Sequence, residues 1–90
     1  MTKRWGSLFT QVQEVLLEKW DPLFVIANDG FRDEYDPFIP YLIKMLERGT
    51  TAEELATHLD NIRVEILGLW PRPAEAMEAA SELLGLTPSH

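Results

Sequence analysis

The chain has 90 residues, 46% of them apolar and 26% charged, which are the proportions of one soluble globular domain spanning residues 1–90 and not of a disordered tail. Acidic residues outnumber basic ones 15 to 8, and the formal charge of −7 repels phosphate backbones and anionic lipid, so neither nucleic acid nor a membrane surface is expected as a partner. With no cysteine there are no disulfides, thiolate metal sites or cysteine nucleophile, and a cytoplasmic location is the default expectation.

At the start, Lys3 and Arg4 are soon followed by Gln11, Gln13 and Glu14, which interrupt the apolar residues and leave no hydrophobic stretch of the secretory kind. The longest uncharged apolar run, residues 22–27, falls far short of the roughly 20 residues of a membrane span. Leu8, Val12, Val15 and Leu16 recur at helical spacing and predict a first amphipathic helix over about 7–19. Asp21-Pro22 stops it, because the proline ring crowds the preceding residue out of the α region and supplies no N–H.

Residues 20–35 read as a long irregular linker, rich in aromatic and acidic side chains. A second helix is predicted over about 36–48, with Phe38, Tyr41, Leu42, Met45 and Leu46 as its stripe and Gly49 closing it. Pro40 conflicts with Asp36 and Pro37 as helix starters, so either the first turn is distorted or a short turn at 36–39 precedes a regular helix from Pro40. Thr51 followed by Glu54 is a capping box and starts a third helix, about 52–67, with Leu55, Ala56, Leu59, Ile62 and Ile66 on its buried face and Gly68 at its end. After "WPRP", Pro73 opens a fourth helix over about 73–84, whose Ala76, Met77, Ala80, Leu83 and Leu84 are expected to face inward. The fold class is therefore all-α, a bundle of four helices, and the short link between the second and third makes them expected antiparallel neighbours.

Candidate chemistry is sparse. Asp29, Asp33, Glu34 and Asp36 offer four oxygen donors to a divalent cation, but an EF-hand does not fit, since Gly30 as the turn glycine puts Val25 and Ala27 where carboxylates are needed. Acids just before a helix more commonly serve its free N–H groups and dipole, and Asp33 and Glu34 are expected to do so. His58, one turn after Glu54, lacks the further ligands a zinc site needs and the serine context a hydrolase needs, so no catalytic residue and no cofactor is assigned. The stretch "LERGTTAEELATHL" has the look of a helix-turn-helix start, but no second turn and no basic helix follow. Trp5, Trp20 and Trp70 each lie near a helix end and are expected chiefly as core, the alternative being that some of them form an exposed patch that marks a partner surface.

"WDP" at 20–22, "DEYD" at 33–36 and "L..G.T.EEL...L..I..E.LGL" over 46–69 together resemble the YugE-like family, small bacterial proteins of unknown function. The resemblance implies a small all-helical fold and brings no activity, cofactor or site residue. The compact acidic character is also similar, by analogy alone, to that of immunity proteins that neutralise a partner toxin.

The leading expectation is a non-enzymatic protein that binds another protein or a second copy of itself, with Trp20, Phe24, Phe31 and Tyr35 of the linker as partner-binding residues. The alternative is a divalent-cation protein using the acidic segment 29–36.

Overall fold

In the computed structural model, which describes residues 8–23, 25 and 33–86, the chain forms four helices and, among those residues, no strand. Helix α1 (Leu8–Val15) continues through a π-helical turn (Leu16–Trp20); a 3₁₀ turn (Asp36–Phe38) leads into α2 (Ile39–Glu47); α3 (Ala52–Asn61) continues through a second π-helical turn (Ile62–Ile66); and α4 (Pro73–Leu84) follows. This is the all-α bundle that the periodicity predicts.

The helices stand where their local chemistry puts them. Thr51 Oγ1 accepts from the Glu54 N–H at 3.1 Å while Glu54 Oε1 accepts from the Thr51 N–H at 3.2 Å, so both halves of the capping box form. At the other side of that turn, the Gly49 N–H reaches the Leu46 carbonyl and the Thr50 N–H the Met45 carbonyl, with Gly49 at φ +80°. That pattern is a Schellman closure, which needs a left-handed residue. The start of α2 resolves as a separate short turn followed by a regular helix, with Ile39 at its head and Pro40 behind it. Asp36 is inside the 3₁₀ turn and caps nothing with its side chain. The carbonyl of Asp33, not its carboxylate, takes the Asp36 N–H. Asp33 and Glu34 are exposed, and the Asp36 and Phe38 N–H groups are met by the backbone carbonyls of Asp33 and Tyr35 and not by a side-chain cap.

The core is built on α4, whose Ala76, Ala79, Ala80 and Leu83 are buried at i, i+3, i+4 and i+7. Three alanines in that stripe let neighbouring backbones approach closely, and α4 packs along α3 on one side and against α1 with its π-helical extension on the other. The expected pairing of α2 with α3 is looser than the short link suggests, and it rests on the Tyr41 ring against His58. Helix α2 lies against α1, and α3 takes α4 as its main partner. Leu16, Leu17, Ile39, Leu42, Leu55 and Leu59 fill the space between them. Two inward assignments fail: Met77 and Ile66 are exposed, Ile66 at 64%. The π-helical turn that follows Asn61 explains the second case, since an i→i+5 closure rotates later residues off the 3.6-residue lattice on which Ile62 and Ile66 share a face.

Candidate contact surface

Of the four linker residues expected to meet a partner, Phe24 and Phe31 lie outside the described residues, as does Asp29 of the acidic segment. The other two, Trp20 and Tyr35, are core: they retain 4% and 1% of their surface. Their rings meet edge-on, 5.3 Å between centroids and 61° between planes. Tyr35 Oη donates to Asp21 Oδ1 at 2.7 Å and accepts from the Leu23 N–H at 2.9 Å, and the same Asp21 oxygen accepts from the Val25 N–H at 2.7 Å. Burial, reinforced by the bond to Asp21, pushes the phenol well above the usual tyrosine range. Asp21 itself adopts φ +28°, ψ +59°, a left-handed conformation that Asp tolerates better than most residues. The "WDP" and "DEYD" segments thus meet through one carboxylate, which clips the start of the linker to its end. In this conformation Trp20 and Tyr35 offer a partner no surface, so they are corrected from contact anchors to structural residues.

The acidic segment is partly committed as well. Asp36 Oδ1 accepts from Gln13 Nε2 at 2.8 Å, joining the 3₁₀ turn to α1. Among the described residues no three acidic or histidine side chains are grouped to hold a metal ion. His58 and Glu54 line one open hollow of about 330 Å³, yet they do not act on each other. The Glu54 carboxylate takes the Thr50 hydroxyl at 2.8 Å, which with the Thr51 N–H holds it below the usual glutamate range. The His58 ring instead rests on Tyr41, 4.9 Å between centroids, and burial lowers its affinity for a proton.

Exposed apolar surface lies elsewhere. Six large apolar side chains are exposed among the described residues, and three of them, Val64, Ile66 and Trp70, fall within residues 64–70. Trp70 is 85% exposed, which corrects its expected place in the core. The backbone beneath it is held at several points: Arg63 Nε donates to the Trp70 carbonyl at 2.6 Å, the Leu69 N–H to the Arg63 carbonyl at 2.9 Å, and the Arg72 N–H to Asp60 Oδ1 at 2.8 Å. Gly68, at φ +68°, makes the reversal that allows the first two. Leu67 packs on the core and secures the segment from below. The sequence allows an exposed aromatic patch but does not single out Trp70 for it, although "WPRP" marks a stiff connector with a tryptophan at its head. An aromatic ring on a fixed backbone loses little freedom when something docks on it, and such rings dominate contact energies.

No family model, curated protein or solved structure matches the chain. Among the described residues, no helix is long and apolar enough to cross a membrane.

Proposed function

We propose that the protein is a non-enzymatic, cytoplasmic binding protein that acts by contacting another protein through residues 64–70. The observation that carries this reading is the near-complete exposure of Trp70 on a connector tied by side-chain and backbone hydrogen bonds to Arg63 of the π-helical turn after α3. A monomer gains nothing in folding from a tryptophan so placed, whereas a contact surface gains a rigid amphipathic anchor. Ile66, also well exposed, adds apolar area at the end of the same helix. The Asp21–Tyr35 bond gives the paired "WDP" and "DEYD" motifs a shared structural reason.

The test is photo-crosslinking in cells, with a benzophenone amino acid in place of Trp70 and, as a control, in place of the exposed Glu47. A discrete protein adduct is expected from position 70 and not from position 47, and Ile66→Asp should abolish it. The adduct's mass tells a second copy of the chain from a different protein. Equal adducts from both positions, or none from position 70, would remove the reading.

A further inference from the structure

Arg63 is the one buried charged side chain among the described residues, with 6% of its surface left. Its guanidinium has five N–H donors, and the bond from Nε to the Trp70 carbonyl uses one of them on a neutral acceptor. The single ion pair among the described residues is Arg72–Glu75, so no carboxylate among them pairs with Arg63 despite the large acidic excess of the sequence. Trp20 Nε1 is the one side-chain polar atom there that is both sealed from solvent and without a partner. The terminal nitrogens of Arg63 are therefore covered but not completely sealed from solvent, at the root of the connector that displays Trp70. A guanidinium covered along its stem and left without a counter-charge is costly for the fold alone, and it favours a planar anion presented from outside.

We infer that the partner contact at residues 64–70 is completed by a carboxylate of the partner protein, an Asp or Glu flanked by apolar side chains, which binds the Arg63 guanidinium while its neighbours cover Trp70 and Ile66. The inference rests on the reading of this segment as a protein contact and names the partner chemistry it selects. A protein carboxylate fits better than a nucleic-acid phosphate, because the net charge of −7 repels a polyanion at long range and tolerates one local acid far better.

The probe is a displayed library of random linear peptides panned on the full chain labelled with fluorotryptophan, in which the Trp70 fluorine signal is assigned by Trp70→Phe. Selected peptides are expected to carry Asp or Glu beside aromatic or branched apolar residues and to shift the Trp70 signal. Neutralising that acid in the peptide should weaken binding to the unaltered protein by roughly tenfold or more. Against Arg63→Gln, the acidic and neutralised peptides should bind equally. Peptides that shift Trp70 with no dependence on their own acid would overturn the inference and leave the contact surface standing. Failure of every peptide to shift Trp70, with no crosslink from position 70, would remove both. An oligonucleotide that binds at Trp70 and requires Arg63 would overturn the assignment to a protein partner.

Discussion

Tyr35 and Asp21 are joined by a 2.7 Å hydrogen bond across 14 residues of chain, and that bond closes the linker between the first two helices into a loop with a fixed neck. Asp21 is asked for two things at once, a left-handed backbone and an acceptor for both the Tyr35 hydroxyl and the Val25 N–H. Substitutions separate them. Asp21→Asn keeps the oxygen and tolerates the backbone, and should cost less than about 1 kcal/mol. Tyr35→Phe removes the donor to Asp21 and strands the Leu23 N–H, for about 1–2 kcal/mol. Asp21→Ala loses the acceptor and adds backbone strain, for about 2–4 kcal/mol. Urea unfolding curves should place the three variants in that order; an Asp21→Asn variant as damaged as Asp21→Ala would show that the charge, not the hydrogen-bond geometry, holds the neck.

The two described tryptophans should respond oppositely to truncation. Trp20 is buried against Tyr35, so Trp20→Ala should cost about 3–5 kcal/mol. Trp70 packs on little, and the part of it that Arg63 holds is its backbone carbonyl, which Trp70→Ala retains. Its cost should stay within about 0.5 kcal/mol. Equal losses in the unfolding midpoint would mean that the Trp70 ring is part of the core, and the contact surface would have to be sought elsewhere.

The contrast between these residues shows what was legible in the chain. Helix positions were legible because their signals are local: Asp21-Pro22, the Thr51–Glu54 box, Gly49 and Pro73 each act on backbone within one turn. The fate of a tryptophan is not local. Trp20 and Trp70 have similar flanks, a helix before and a proline soon after, and what separates them is that Tyr35 folds back over one while the chain turns at Gly68 and carries the other outward. Ile66 was misplaced because its spacing from Ile62 implies one face only if the helix keeps its α geometry, and the π-helical turn is invisible in apolar periodicity. The Arg63–Trp70 bond joins a side chain to a backbone carbonyl, a contact with no residue-type signature at its accepting end.

The turn between α2 and α3 offers a third test, since its two halves depend on different chemistry. Thr51→Ala removes the acceptor for the Glu54 N–H and should cost about 1 kcal/mol, with Thr51→Ser recovering most of it. Gly49→Ala meets no neighbouring atom, so any loss there comes from φ +80° alone, about 1–2 kcal/mol. Because one change removes a cap and the other strains the backbone, Thr51→Ala should chiefly fray the first turn of α3, visible as faster amide exchange at residues 52–54. Uniform acceleration through the whole chain would show that the box supports the bundle as a unit.

His58 predicts the behaviour of the protein in mild acid. Its imidazole lies against the Tyr41 ring, and burial disfavours the charged form, so its folded-state pKa falls below the ordinary value of about 6.5. The unfolded chain then binds a proton that the folded one resists. The stability this contributes is complete above about pH 6.5 and is lost as pH falls from there through the folded-state pKa. Glu54 is shifted in the same direction, but its contribution disappears only in the carboxylate range, at lower pH, so the two are separable. Denaturant midpoints measured from about pH 7.5 down to about pH 5.5 should decline, and His58→Gln should flatten that decline while leaving the loss at lower pH in place. Tyr41→Ala should also flatten it, by opening the imidazole to water. An undiminished slope in both variants would assign the acid sensitivity to other groups and leave the ring contact with a packing role alone.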